Sequence, residues 1–194
     1  MTAGQLPGIF ILFFMPAVSK KWNKKTFLLM GAVLIIVGFV ITGIAGKRGF
    51  CSVNIEKDMM NSEIGFGRRI LQAFEDNGIS FEHVPSGIDT MTVFVHQDEF
   101  MDKEQNVVAA IHRLAKPDMI DIEGDLALIA VVGRGMRSTR GTAGRIFSAL
   151  AHANINVKMI DQGSSELNII IGVSDGDFEN AIRAIYNMFV LVQL

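Results

Sequence analysis

The chain has 194 residues, of which 49% are hydrophobic and 20% charged, and this composition fits one ordinary globular domain or two small ones. Four lysines between positions 20 and 25 are the only charged residues in the first forty, which leaves 14 basic and 20 acidic residues in positions 41–194. That acidic balance argues against a nucleic acid as partner, and the single cysteine, Cys51, excludes a disulfide framework and is typical of a reducing cytosol.

The first 39 residues form an apolar leader. Two uncharged stretches, residues 6–18 and 26–39, flank the basic sequence SKKWNKK, a pattern that predicts a helix, a basic loop and a second helix. The sequence LPGIFILFFMPAVSKKWNKKTFLLMGAVLIIVGFVI resembles one helix hairpin of a major-facilitator sugar and cation symporter, which implies a membrane contact through residues 6–39. Two alternatives stay open: a true membrane hairpin, and a poorly ordered or artefactual leader that a gene fusion, a truncated reading frame or a mispredicted start has placed before the folded protein.

The extent of the second apolar stretch depends on where the folded protein begins. A helix needs about 20 apolar residues to cross a bilayer. If residues 40–45, VITGIA, form a strand, the run that remains is residues 26–39, about 14 residues, which is too short to span a bilayer unaided.

The remainder of the chain contains an internal repeat. GFGRRILQAFEDNGIS at residues 65–80 matches GTAGRIFSALAHANIN at residues 141–156, at an offset of 76. Apolar residues recur at helical spacing in both copies, and each copy ends at a turn signal, Asn77-Gly78 or Asn154. The identical positions at this offset are Gly65 and Gly141, Arg69 and Arg145, Ile70 and Ile146, Ala73 and Ala149, Ile79 and Ile155.

The segments around each predicted helix complete a unit of alternating strands and helices. A strand candidate precedes each helix, FCSVNIEK or LALIAVVG, and two strands joined by a polar turn follow it, ISFEHV with TMTVFVH or INVKMI with LNIIIGV. A second helix comes next, NVVAAIHRL or FENAIRAIYNMFV, and then a further strand, MIDIEG or VLVQL. This order predicts an α+β chain of tandem ferredoxin-like (βαββαβ) units, each with both helices on one face of an antiparallel sheet.

The same residues carry a specific resemblance. ITGIAGKRGFCSVNIEKDMMNSEIGFGRRI together with NINVKMIDQGSSE resembles the tandem ACT regulatory domains of bacterial aspartokinases, over about residues 40–190. In that family the first ACT unit is inserted into the second. The resemblance therefore implies a leader at 1–39, a strand of the second unit at 40–48, the first ACT domain at 49–122 and the second at 123–194.

No catalytic residues are expected in this chain. The kinase domain that precedes the ACT units in aspartokinases has no counterpart here, so ATP and Mg²⁺ would belong only to that domain. The candidate phosphate loop at residues 43–49, GIAGKRG, lacks the P-loop spacing, and the four histidines are too scattered for a metal site. We therefore expect no cofactor and no metal.

A free amino acid is the expected ligand. A glycine-bearing helix N-terminus offers unpaired N–H groups to its carboxylate, and carboxylates on a neighbouring strand can accept from its ammonium. By resemblance, Glu82, with Asp89 as a further carboxylate, would take the side-chain ammonium of a lysine effector. The residues that fall on the family's effector pocket are Met60, Gly65, Phe66, Gly67, Ser80, Phe81, Glu82 and Asp89.

Each candidate pocket has a structural alternative. Met60, Phe66 and Phe81 are equally typical of a core or an interface. A second pocket is expected in the second unit, unless its residues serve only as turns; they are Gly141, Asn156, Gln162, Gly163, Ser164, Ser165 and Glu166.

The resemblance implies a feedback-inhibition module that binds lysine or threonine and acts on an aspartokinase catalytic subunit, as a homodimer through its ACT domains. Two alternatives are an aspartate kinase that is active only with a catalytic subunit, and an ACT sensor tethered to the membrane. The expected location of the ACT pair is the cytoplasm, at the inner membrane if the leader is genuine.

Overall fold

The computed structural model describes residues 43–137 and 139–190. The strands are β1 (Gly43–Glu56), β2 (Phe81–His83), β3 (Thr90–His96), β4 (Met119–Val132), β5 (Val157–Asp161) and β6 (Asn168–Ser174). The α-helices are α1 (Phe66–Asp76), α2 (Gln97–Met101), α3 (Glu104–Ala115), α4 (Thr142–His152) and α5 (Phe178–Val190). Short 3-10 helices lie at Met60–Ser62, Arg134–Arg137 and Asp175–Asp177.

The six strands form one sheet in the order β2-β3-β1-β4-β6-β5, and every neighbouring pair is antiparallel. We call β2, β3, residues 50–56 of β1 and 119–123 of β4, with α1 and α3, unit 1. Unit 2 comprises β5, β6, residues 126–132 of β4 and 43–48 of β1, with α4 and α5. Each unit has the strand order of a ferredoxin-like fold, which confirms the predicted fold class.

The two long central strands each belong to both units. Residues 43–48 of β1 pair with residues 127–132 of β4, whereas residues 52–56 of β1 pair with residues 119–123. The division of the chain at 40–48, 49–122 and 123–194 stays a prediction. In both strands an extra residue interrupts the ladder, at Gly49 (φ 83°) in β1 and near Asp125 (φ 53°) in β4. A bulge changes which alternate side chains of a strand face the helices. Both halves of each strand can therefore direct apolar residues toward the helices of their own unit.

The helices pack on one face of the sheet and make two separate cores. In α1 the buried residues follow the helical period, and α4 buries the residues at the same four positions of the repeat. Both helices begin after a glycine in the left-handed region, Gly65 with φ 79° and Gly141 with φ 82°, which most side chains disfavour. The buried positions are Phe66, Ile70, Ala73 and Phe74 in α1, and Thr142, Ile146, Ala149 and Leu150 in α4.

The opposite face of the sheet also buries apolar side chains, although no described helix covers it. The two edge strands of the sheet, β2 and β5, contact each other, since His83 Nδ1 lies 3.2 Å from Asp161 Oδ2. This contact shows that the sheet curls toward this face. We call this side the concave face. It buries a third cluster, made of Phe50, Phe94, Leu126, Leu128, Met159 and Ile170.

Several expectations from the sequence can be compared with this fold. Both predicted hairpins and all four predicted helices are present, and α2 is an additional short helix. The described part of β1 begins at Gly43, in agreement with a strand in the second half of VITGIA. Val190 is the last residue of α5, so the strand predicted as VLVQL does not begin there, and residues 191–194 lie outside the described residues.

Cys51 lies inside unit 1, as expected for a small apolar residue in a strand. Its side chain is buried in β1, and this burial, with the nearby negative charge of Glu104, raises the pKa of the thiol to about 11. The thiol therefore stays protonated and unreactive at neutral pH.

The predicted membrane hairpin at residues 6–39 lies outside the described residues. Among the helices between residues 43 and 190, none combines the length and the apolar character that a bilayer crossing requires.

Candidate functional site

The first group of predicted site residues surrounds the N-terminus of α1. Gly65 is the N-cap residue, and no side chain there donates or accepts a capping hydrogen bond. Gly67 presents bare backbone in the first turn, and a side chain at this position would have its Cβ 3.7 Å from the nearest atoms, those of Met91. An uncapped helix N-terminus with glycines can offer N–H groups to a carboxylate.

Hydrogen bonds to Asp89 connect the loop before α1 with the loop before β3. Its Oδ1 accepts a hydrogen bond from Met59 N at 3.0 Å, and its backbone oxygen accepts one from Lys57 N at 2.9 Å. Asn61 N donates to Ile88 O at 3.1 Å in the same region. These bonds place Asp89 at the end of unit 1 that carries Gly65.

Two of the predicted residues at this end are core residues. Met60 and Phe66 are buried in the unit 1 core, which is the alternative that the sequence left open for them. Glu63 is not free either, because its carboxylate contacts Arg69 Nη2 and lies 3.5 Å from Lys57 Nζ. The residues with groups available to a ligand here are therefore Gly65, Gly67 and Asp89.

The second group, Ser80 to Glu82, begins the edge strand β2. Phe81 is 50% exposed, and Ser80 and Glu82 are exposed as well. Glu82 Oε1 lies 3.0 Å from His96 Nε2, and Lys47 Nζ lies 3.2 Å from the same nitrogen. A carboxylate and an ammonium thus flank one imidazole at the surface.

The two groups lie at opposite ends of unit 1. Gly65 and Asn77 flank the 11 residues of α1 and are about 18 Å apart along the helix axis, and Ser80 follows Asn77 by three residues. The strand pairing agrees with this separation. Phe81 pairs with Val95, near the end of β3. Asp89 directly precedes Thr90, the first residue of β3, which pairs with Glu56. One copy of unit 1 therefore does not bring all the predicted effector residues together.

Unit 2 has a cavity at the corresponding helix N-terminus. It measures about 230 Å³ and includes three of the predicted residues, Gly141, Gln162 and Glu166. Gly163 lies in the turn after β5, where its oxygen accepts a hydrogen bond from Glu166 N at 3.0 Å. Asn156 precedes β5, at the position equivalent to Ser80. The other residues that line the cavity are Met136, Arg137, Thr139, Arg140, Thr142, Ala143 and Ile169.

The cavity also contains two arginines from the segment 133–141, which the sequence indicated as part of a possible pocket without naming them individually. Arg137 and Arg140 are exposed and line it, together with Thr139. Their signal was visible in the sequence, because GRGMRSTRG has three arginines in nine residues and no acid. Guanidinium groups beside a helix N-terminus favour an anionic ligand group.

A metal centre at either site would need a group of ligating side chains. Over residues 43–137 and 139–190, His, Cys, Asp and Glu side chains nowhere form a group of three or more that could hold a metal ion.

Comparison with known proteins agrees with this architecture. The ACT domain family matches residues 129–189. Aspartokinase 3 of Bacillus subtilis is 46% identical over 151 residues, which cover 77% of this chain and 33% of that protein. The crystal structure of Clostridium acetobutylicum aspartate kinase, described as an allosteric enzyme, is 47% identical over 77% of this chain and 35% of its own, with a TM-score of 0.74.

A more distant structure shares the fold alone. Escherichia coli aspartokinase III, solved with lysine and aspartate in its T-state, is 17% identical over 78% of this chain and 33% of its own, with a TM-score of 0.63. This chain spans about a third of the length of these relatives. Its described part is homologous to the C-terminal, ACT-domain part of the aspartokinases.

Proposed function

We propose that this chain is an amino-acid-binding regulatory module for an aspartokinase, with lysine or threonine as effector. The observation that carries the proposal is 46% identity with an aspartokinase over the tandem ACT region, together with an uncapped glycine N-terminus on α1. A relative of the same fold was solved with lysine. In our proposal the effector carboxylate binds at Gly65 and Gly67.

A second copy of the chain would complete the site. Among the strands that the structure describes, β2 is an edge strand, with a hydrogen-bonded neighbour on one side only. If two copies pair antiparallel along β2, the start of β2 in one copy lies beside the other end of unit 1 in its partner. Ser80, Phe81 and Glu82 of one copy would then face Gly65 and Asp89 of the next, and Glu82 would accept from the ligand ammonium.

Regulation follows if the effector prefers one arrangement of the subunits. A ligand shifts an equilibrium only by its difference in affinity for the two states, and such couplings are typically about 1 to 3 kcal/mol. An effector that bridges two copies stabilises the paired arrangement over any other. The aspartokinase catalytic domain that would respond is the proposed partner, and ATP and Mg²⁺ would bind there. The chain alone is expected to release no ADP in the presence of aspartate and ATP.

Calorimetric titration of the full chain tests the proposal. Lysine or threonine should bind, and Glu82→Gln should weaken lysine binding by about tenfold, because the ligand ammonium would lose its charged partner. Glu99→Gln removes the same charge from an exposed position on α2 and should leave binding unchanged. Absence of heat with both amino acids at millimolar concentration would overturn the proposal.

Mixing of two variants tests whether the site is shared. Asp89→Asn damages one end of the site and Glu82→Gln the other, while Asn at position 89 can still accept the Met59 hydrogen bond. In an equimolar mixture, about a quarter of the sites would combine two intact ends and regain full affinity. A mixture that binds no better than either variant would show that the two groups do not act across a pair.

A further inference from the structure

A cleft on the concave face of unit 1 lies apart from the proposed effector site. It measures about 370 Å³, within the range of about 300 to 1,000 Å³ that small-molecule sites occupy. Strands of unit 1 form its floor, and β5 of unit 2 and the loop before β3 form its walls. Its lining residues are Ser52, Asn54, Pro85, Thr92, Phe94, Asp121, Glu123, Leu126, Lys158 and Met159. We call it the concave-face cleft.

The floor consists of two rows of side chains that the strand register fixes. In one row Ser52 of β1 lies between Phe94 of β3 and Glu123 of β4. In the next row, two residues along each strand, Asn54 lies between Thr92 and Asp121. Because alternate residues of a strand share a face, both rows point into the cleft.

Unit 2 shows that the fold itself does not need polar residues at these positions. At the 76-residue offset, Ser52 corresponds to Leu128 and Asn54 to Ala130. In β3 and β6 the strand pairing, rather than the 76-residue offset, gives the equivalence: Thr92 is the partner of Asn54, and Ile170 is the partner of Ala130. Unit 2 therefore fills the concave face with apolar side chains where unit 1 has a hydroxyl, an amide and a second hydroxyl.

One of the three polar groups lacks a partner. Thr92 Oγ1 donates to Asn54 Oδ1 at 2.9 Å, and Asn54 Nδ2 donates to Glu56 Oε1 at 3.2 Å, so these two side chains satisfy each other. Ser52 is only 8% exposed, and its hydroxyl has no hydrogen-bond partner among the residues that the structure describes. The Ser52 hydroxyl is not fully shielded from solvent, so it can donate to or accept from a ligand in the cleft.

The charges around the cleft favour a cation. Lys158 Nζ contacts Glu123 Oε1, so these two charges neutralise each other. The carboxylate of Asp121 forms no hydrogen bond or ion pair with any residue that the structure describes, and it is the remaining charge. Phe94, Leu126 and Met159 add an apolar surface beside it.

We propose that the concave-face cleft binds a small aliphatic primary amine. The ammonium donates to Asp121 and to the Ser52 hydroxyl, and the carbon chain packs on Phe94, Leu126 and Met159. This site shares no residue with the proposed effector site, because its residues lie on the concave face of the sheet and at the contact between the two units.

The test uses butylammonium as the probe and amide NMR shifts of the labelled full chain as the readout. We expect shifts at residues 52, 54, 121 and 123, with butanol giving none. Asp121→Asn should weaken binding by about tenfold, and Ser52→Ala should weaken it by a smaller factor. Glu75→Gln removes the same charge from the exposed side of α1 and should leave binding unchanged.

Norvaline, which adds a carboxylate to the amine-bearing carbon of butylamine, distinguishes a free amine from an amino acid as the natural source. Tighter binding of norvaline, through Lys158, would identify an amino acid, and weaker binding would identify a free amine. Shifts confined to residues 65–67, or unaltered binding by Asp121→Asn with the thermal unfolding midpoint preserved, would overturn the proposal. Lysine binding at the effector site should be unaffected by Asp121→Asn, so the two proposals can fail separately.

Discussion

The loops that lead into α1 and α4 have equal length and opposite charge. Each buries one methionine, Met60 or Met136, and each ends in a left-handed glycine that starts the helix. The residues between these fixed points differ. Where unit 1 has Asp58, Asn61 and Ile64, the equivalent positions of unit 2 are Arg134, Arg137 and Arg140.

This difference separates what the fold requires from what a ligand would require. A buried methionine and a positive-φ glycine are needed wherever this strand-to-helix turn is built. Exposed loop residues have no such constraint, and their charge determines which ligand groups they can attract. We infer that the two helix N-termini favour different ligands, and that the arginine loop of unit 2 favours a more anionic one.

The largest expected effect concerns the positions that the two units share. Ile70 and Ile146 are fully buried at equivalent places in α1 and α4. Replacing either with alanine should lower the free energy of unfolding by about 3 kcal/mol, through lost burial and a residual cavity. Urea denaturation of the two variants measures this. A difference of more than about 2 kcal/mol between them would show that the two cores are not equivalent.

The next effect is a pH dependence of stability that arises at a core position where the two units differ. Cys51 of unit 1 corresponds to Ala127 of unit 2, and both are buried. The folded thiol has a pKa near 11 against an ordinary 9.0, so the folded state keeps its proton to higher pH than the unfolded state. Stability should therefore be unaffected below pH 9 and fall by about 1 to 3 kcal/mol as the pH rises toward 11.

Cys51→Ala provides the control, because it makes unit 1 like unit 2 at this position. The variant should lose the part of the alkaline decline that the thiol causes, which denaturation curves at pH 8 and at pH 10.5 would reveal. An identical decline in both proteins would contradict the role assigned to the thiol.

Smaller effects are expected at the two glycines. Gly65→Ala and Gly141→Ala should each cost about 1 to 2 kcal/mol, because alanine in the left-handed region is strained although no atom blocks its Cβ. Thermal unfolding of the two variants should give similar shifts. Gly144→Ala is a matched control inside α4, where the Cβ has free space and the change should stabilise the helix slightly.

The smallest expected effect on stability concerns the charged residues by which the two loops differ. Converting Arg137 to Asn and Arg140 to Ile, the residues of the unit 1 loop, should change the free energy of unfolding by less than about 0.5 kcal/mol, because both side chains are exposed. Chemical denaturation checks this. A loss of several kcal/mol would mean that the arginines hold the loop together and are not available to a ligand.

The sequence predicted the strands, helices and hairpins because the repeat presents each pattern twice. Apolar spacing in residues 65–80 and 141–156 located α1 and α4, and the alternation in TMTVFVH and LNIIIGV located β3 and β6. It did not predict α2, a helix of five residues, which is too short to establish a period. Nor did it predict the bulge at Asp125, because a left-handed aspartate has no regular sequence pattern.

The candidate sites were less accessible to sequence reasoning. The family pattern indicated residues at both ends of unit 1, but it could not show that α1 separates Gly65 from Ser80. The concave-face cleft was invisible, because it depends on the register of three strands and on the curl that brings Lys158 over unit 1. Only the comparison of Ser52 with Leu128 would have hinted at it.

The two shared central strands have a consequence for how the molecule loses its structure. One half of β1 and one half of β4 belong to unit 1, and the other halves belong to unit 2. Neither unit can therefore unfold without disrupting the sheet of the other. Unfolding should then be a single cooperative transition, and amide protons in both halves of β1 should exchange with solvent at the same slow rate. A signal from a ligand bound to one unit would reach the other along continuous backbone rather than through a hinge.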